Sequence, residues 1–254
     1  MKLSLFIAAF TAAACAMTPS TSEIAPSGKL RIGINSQNFL LVTKYSPGSD
    51  PQGIAPDLGR EFARKLGVPF EYVVFDSAGR LADAVKIAAW DVAFLGNEPQ
   101  RAQEIGFSPP YLEIEAGYLV PAASPIRTIA DVDREGVRIA VAQKSAYDLY
   151  LSRTIKHAKL VRADGIEASY QLFVRDKLEA LAGLKPRLVM DAEKLPGARV
   201  LEGRFSAVQQ SIGVPRPREA ALAQVREFVG EAKASGLVAN AIERHGVRGV
   251  SVAP

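Results

Sequence analysis

Trp90-Asp91-Val92-Ala93-Phe94-Leu95-Gly96-Asn97-Glu98-Pro99-Gln100-Arg101 opens a stretch that continues through Gln103-Glu104-Ile105-Gly106-Phe107-Ser108 to Pro109-Pro110-Tyr111. Val92 to Leu95 is an apolar run of strand length, Gly96 and Asn97 stop it, and Glu98-Pro99 opens a polar segment with the signals of a helix start. The expected order is strand, turn, helix. In an open α/β sheet ligands gather at such junctions, because strand ends converge there and the free amides of a helix N-terminus attract anions. Arg101 stands at the junction, and its planar guanidinium can grip a carboxylate with two parallel hydrogen bonds, which an ammonium cannot do.

The same alternation extends on both sides. Residues 29–34 read as a strand ending in the polar cluster Asn35-Ser36-Gln37-Asn38, and a helix begins near Gln52-Gly53, with Leu58, Phe62 and Leu66 on one stripe before Gly67. Residues 69–75 form a second strand and 80–89 a second helix, so the first part reads β-α-β-α-β, a parallel sheet with right-handed crossovers. After a strand at 115–121, a second βα series follows: strand 137–142, a turn at Gln143-Lys144-Ser145, a helix capped by Ser145, strand 159–162, helix 166–176 and a short strand at 179–182. Residues 205–214 return as an extended segment, followed by helices at 217–234 and 237–245. No internal repeat is evident.

A chain of 254 residues, 48% hydrophobic and 23% charged, suits two compact lobes with ample core. The net charge of +4 comes from 31 basic and 27 acidic residues without a basic block, so nucleic-acid binding is not expected. Lys2, the apolar run 3–10 and the small residues 12–16 have the layout of a secretory signal, too short to span a bilayer. Either cleavage follows Ala16, or Ala12-Ala13-Ala14-Cys15 serves as a lipoprotein box with Cys15 as lipid anchor. Cys15 is the only cysteine, so the folded body is expected to have no disulfide and no thiol nucleophile. Residues 17–28, rich in Thr, Ser and Pro, read as a disordered leader. The expected division is 29–120 with 207–254 as lobe 1 and 121–206 as lobe 2.

With strand 29–34, the Gly53 to Asp57-Leu58 helix start, Leu66-Gly67-Val68, Arg101, and Phe107-Ser108-Pro109-Pro110-Tyr111 in this order, the chain resembles the bacterial extracellular solute-binding proteins, family 3, of polar amino-acid ABC importers. The resemblance implies a type II periplasmic-binding-protein fold: two α/β lobes joined by two hinge strands, with a small-molecule ligand in the cleft. It also implies a monomer that delivers its ligand to a membrane permease. Arg101 matches the family's carboxylate-holding Arg, and Ser145 matches the hydroxyl residue of the second-lobe turn. Two positions depart from the pattern, Glu98 where Thr is usual and Lys144 where Gly is usual. The acid that usually receives an ammonium has no equivalent here.

The candidate ligand-binding set is Arg101, Ser145, Asn35, Asn38, Phe39, Asn97, Glu98 and Lys144. The Asn residues would line a polar cleft, and Phe39 could stack on a ligand. No catalytic residue, metal site or cofactor is expected: His157 and His245 lie far apart, and no nucleophile elbow or phosphate loop occurs. The expected role is capture of a small carboxylate-bearing solute, an amino acid or related organic acid, in the periplasm. Two other roles fit the same scaffold. One is an exported enzyme similar to cyclohexadienyl dehydratases, using Glu98 or Glu179 as acid or base. The other is a sensory module that docks on a membrane receptor.

Overall fold

The computed structural model describes residues 23–254. The expected signal and Cys15 lie outside the described residues. The leader expected over 17–28 is corrected in its last part. Ile24 and Ala25 are fully buried in the core, and the Gly28 amide donates to the Ala25 carbonyl at 2.9 Å. Burial of that apolar pair holds the segment down despite its Thr/Ser/Pro-rich surroundings.

Lobe 1 is built on β1 (Leu30–Asn35), β2 (Phe70–Phe75) and β3 (Val92–Gly96), with β1 parallel to both neighbours. The crossovers are α1 (Ile54–Leu66), ended by Gly67 at φ 68°, and α2 (Ala78–Asp83), which tightens into a 3-10 turn over Ala84–Ile87. The second helix starts earlier than its apolar spacing suggests, because the Ser77 hydroxyl caps it by accepting from the Arg80 amide at 3.2 Å.

The helix expected after Glu98-Pro99 is a single 3-10 turn, Arg101–Gln103. Its continuation is pulled into a strand, β4 (Ile105–Phe107), whose buried apolar residues leave no room for a helix. The anion-attracting helix N-terminus expected beside Arg101 is therefore absent.

Next comes β5 (Leu112–Val120), the strand that carries the chain into lobe 2. That lobe contains β6 (Arg138–Ala142), α3 (Ala146–Thr154), β7 (Lys159–Ala163), α4 (Ile166–Arg175), β8 (Ala180–Leu184) and α5 (Lys185–Glu193). The chain returns through the short β9 (Arg199–Val200) and the long β10 (Ser206–Pro215), and closes with α6 (Glu219–Ala234), α7 (Leu237–Arg244) and β11 (Val250–Val252).

The strand order β2-β1-β3-β10-β5-β8-β6-β7 runs through both lobes. β5 and β10 are antiparallel to each other and connect them: Ala116 pairs with Ser206 on one side and with Leu184 of lobe 2 on the other. At the far end β10 pairs with β3 and β4 of lobe 1. The two lobes thus share two strands. Among the described residues no helix is long and apolar enough to cross a membrane.

The structure also reveals a repeat that the sequence hides. In lobe 1, Arg31 on β1 donates its backbone amide and Nε to Asp91 Oδ2, both at 3.0 Å, and Nη2 to Oδ1 at 2.7 Å. In lobe 2, Arg138 on β6 donates its amide and Nε to Glu179 Oε2 at 2.8 and 2.9 Å, and Nη2 to Oε1 at 2.8 Å. Each arginine also reaches a carbonyl of a residue in the left-handed region, Ala88 (φ 49°) in one case and Lys177 (φ 48°) in the other. One clamp, Arg on the first strand and acid just before the third, ties the base of each lobe.

Trp90 precedes that acid in lobe 1 and is fully buried, its indole donating to the Leu81 carbonyl at 2.8 Å. Gly33 is required beneath it: a Cβ there would stand 2.7 Å from Leu81 Cδ1 and 3.1 Å from Trp90 Cγ.

Candidate functional site

The C-terminal ends of β1, β3 and β6 converge between the lobes, together with the N-terminus of α3 and the middle of β10. They enclose a cavity of about 50 Å³. Its lobe 1 wall includes Asn35, Gln37, Asn38, Ser77, Phe94 and Arg101. Lobe 2 contributes Gln143, Ser145, Ala146, Tyr147 and Ile166, and β10 contributes Val208 and Gln210.

Arg101 decides the electrostatics. Its side chain lies 6% exposed, the Nη1 group donates to the Gly96 carbonyl at 2.7 Å, and Nη2 donates across the lobes to the Lys144 carbonyl at 2.9 Å. Among the described residues no carboxylate bonds to it, and Nε has no partner. Burial pulls the guanidinium pKa down to about 10, with only weak opposition from the more distant Glu98 and Asp83. Two more buried polar atoms of the wall lack partners, Asn38 Oδ1 and Gln210 Oε1. Buried polar groups in folded proteins are almost always paired, so three orphans on one wall make this cavity a candidate for a ligand.

Ser145 caps α3, its hydroxyl accepting from the Asp148 amide at 3.0 Å. The next two residues, Ala146 and Tyr147, sit in the first turn of α3, where amides have no intrahelical acceptor. Both line the cavity, so lobe 2 faces Arg101 with a helix N-terminus. The helix that lobe 1 lacks at this junction is supplied from the other side.

Of the eight candidate residues, the structure brings Arg101, Ser145, Asn35 and Asn38 to the cavity. Phe39 instead packs on the core and borders an outer groove with Pro186 and Val247. Asn97 is exposed, its amide donating to the Gln209 carbonyl at 2.7 Å. Glu98 turns away and pairs with Arg153 of α3 at 2.6 Å. Lys144 sends its ammonium to Asp83 of lobe 1 at 2.5 Å and contributes to the site through its carbonyl.

The Glu98–Arg153 and Lys144–Asp83 pairs cross the cleft, as does the Arg101 bond to the Lys144 carbonyl. Two others do so as well: Arg80 with Asp164 at 2.5 Å, and the Ile166 amide donating to Gln37 Oε1 at 3.0 Å. Glu179, considered as an acid or base, is held in the Arg138 clamp away from the cavity.

Gln210, Tyr147 and Gln37 were missed as site residues. Gln37 belongs to the polar cluster at the end of β1, and Tyr147 sits in the first turn of α3. Nothing local distinguishes Gln210 from Gln209 beside it; only the alternation of β10, once its pairing is known, turns one inward and leaves the other toward Glu113.

Two α/β lobes crossed by two shared strands, with a polar cavity at the facing strand ends, define a ligand-binding protein of the type II periplasmic class. Residues 30–247 match the model of the bacterial extracellular solute-binding proteins, family 3, and the chain belongs to that family. Solved structures share the fold. A mutant of ArgBP from T. maritima is 22% identical, with 89% of this chain and 99% of that one covered and a TM-score of 0.74. The solute receptor for L-cysteine of Neisseria gonorrhoeae is 21% identical over 90% and 95% of the two chains, with a TM-score of 0.76. The ancestral amino acid-binding protein AncCDT-1, a precursor of cyclohexadienyl dehydratase, is 19% identical over 89% and 98%, with a TM-score of 0.72. A sequence comparison with curated proteins returns no match.

Proposed function

We propose that this chain is the substrate-binding component of an ABC importer, exported to the periplasm, that captures a small carboxylate-bearing solute between its lobes. The observation that carries this reading is Arg101: a buried cation that no carboxylate of the described residues bonds, on the wall of the interlobe cavity, opposite the N-terminus of α3. A ligand carboxylate would supply the missing charge and accept from Nε.

On this proposal the lobes divide on the chain as 29–120 with 207–254 against 121–206. They hinge about β5 and β10, and closure brings Lys144 and α3 onto Arg101. The protein works as a monomer that a membrane permease recognises in its closed form. The position of Glu98 and Glu179 outside the cavity wall supports capture without turnover, since an acid or base must reach the reacting atoms.

Native mass spectrometry of the purified protein tests the reading without presupposing a ligand. A small acid carried through purification, and lost from Arg101→Ala, is the expected result. An acid bound equally well by that variant would refute the site. Co-purification with a permease on loading, and its absence without ligand, tests the import role against sensing.

A further inference from the structure

The cavity wall has one charge on it. Among the described residues, Arg101 faces a lining with no Asp, Glu, Lys or His, made of amides, hydroxyls, small residues and apolar side chains such as Val42, Phe94 and Val208. Carboxylates on the elements around the cavity are paired. Glu98 pairs with Arg153 at 2.6 Å, Asp83 with Lys144 at 2.5 Å, Asp148 with Arg162 at 2.9 Å, and Asp191 with Arg187 at 2.8 Å.

Charge arithmetic then ranks the possible ligands. A monoanion brings the enclosed volume to neutrality. A zwitterion leaves Arg101 plus an ammonium against one carboxylate, an uncompensated buried positive charge, which low-dielectric surroundings penalise heavily. A dianion overshoots with the opposite sign.

Size narrows the class further. The cavity, at about 50 Å³, suits a small ligand. Hydrogen bonding supplies the last constraint. Asn38 Oδ1 and Gln210 Oε1 are buried acceptors without donors, so they call for a ligand donor, and the charge balance above makes it a neutral one such as a hydroxyl.

We propose, resting on the carboxylate-capture reading above, that the ligand is a short-chain hydroxy monocarboxylate and that α-amino acids are rejected. The carboxylate takes Arg101 Nε and the first-turn amides of α3. The hydroxyl donates to the Asn38 or Gln210 carbonyl, and the short alkyl part lies against Val42, Phe94 and Val208. The site keeps the anion grip of an amino-acid binder and has lost the ammonium counter-charge.

The test is calorimetric titration with three short-chain probes: 2-hydroxypropanoate, its unsubstituted parent propanoate, and 2-aminopropanoate. The expected order of affinity is as written, with 2-hydroxypropanoate at least tenfold tighter than 2-aminopropanoate and its binding lost in Arg101→Ala. Arg101→Lys, which keeps the charge and loses the fork, serves as a second variant should the alanine form not fold. Gln210→Glu places a carboxylate on the wall and should move the preference toward 2-aminopropanoate by tenfold or more; an unmoved order in that variant overturns the charge argument. Binding of 2-aminopropanoate as tight as that of 2-hydroxypropanoate, with the same loss in Arg101→Ala, overturns the ligand class and leaves carboxylate capture standing. Failure of all three acids to bind, or binding indifferent to Arg101, overturns both.

Discussion

Strand β3 has a buried charge beyond each end, and the two are treated in opposite ways. Before its first residue, Asp91 is fully buried and receives the Arg31 backbone amide, the Arg31 guanidinium through two nitrogens, and Arg218 at 3.4 Å. After its last residue, Arg101 is nearly as buried and donates to two backbone carbonyls and, among the described residues, to no carboxylate. The first is a complete ion pair, made from within the chain. The second is half of one. A fold that satisfies Asp91 so fully has the means to satisfy Arg101 too, and leaving it open makes Arg101 the candidate for a ligand's charge, as distinct from a structural clamp.

The largest expected effect falls on the finished pair. Asp91→Ala leaves Arg31 and Arg218 facing a buried void and should cost about 3–5 kcal/mol in urea unfolding. Arg101→Ala should cost far less in stability but at least about 2 kcal/mol in binding, or roughly thirtyfold by calorimetry, because it removes the charged half of the ligand contact. Equal stability losses in the two variants would erase the distinction.

Below these comes Glu179→Ala in the lobe 2 copy of the clamp. Its partner Arg138 is 42% exposed and the carboxylate 35%, so solvent screens the pair and the expected cost is about 1 kcal/mol, reduced further by salt. The same bonding pattern with different burial makes this a direct measure of what burial adds.

Glu98→Gln is expected to do least. Arg153 is 41% exposed and can turn to water, so affinity should change by less than about 1 kcal/mol. A large loss would show that Glu98 touches the ligand after all.

The pH dependence follows from the sign of the Arg101 shift. Burial lowers its pKa to about 10, so the charged form is the costly one in the unliganded fold, below that pH, and the charged form is also the one an anion needs. Affinity should therefore be flat through neutral pH and fall as pH rises through about 10. Calorimetry across that range checks it, and an affinity that rises there would reverse the assignment.

Much of the fold was legible because its strands and helices keep their periods. Leu58, Phe62 and Leu66 mark α1, Gly67 stops it, and the parallel series in each lobe follows from the alternation. Short elements were not legible. β4 and β11 have three residues each, too few for a period to show, and they are strands only because β10 and β5 offer edges to pair with. The same limit produced the false helix after Glu98-Pro99.

At the site, residues at strand ends were readable, since Asn35, Asn38 and Arg101 follow directly from where a strand stops. Glu98 and Lys144 were misplaced for a different reason. A charge beside a junction can serve ligand or fold equally, and its choice depends on a partner such as Arg153 or Asp83 that is distant in sequence. The Arg31 and Arg138 clamps escaped notice likewise, because a repeat of two residues some sixty and forty positions apart leaves no trace along the chain.

The central claim is that a ligand anion completes the ion pair Arg101 begins. A crystal structure of the protein with 2-hydroxypropanoate bound tests it most directly. The expected result places a carboxylate oxygen about 3 Å from Arg101 Nε, inside the cavity between the lobes. A cavity holding only water, or an acid bound with Nε still unpartnered, would contradict it.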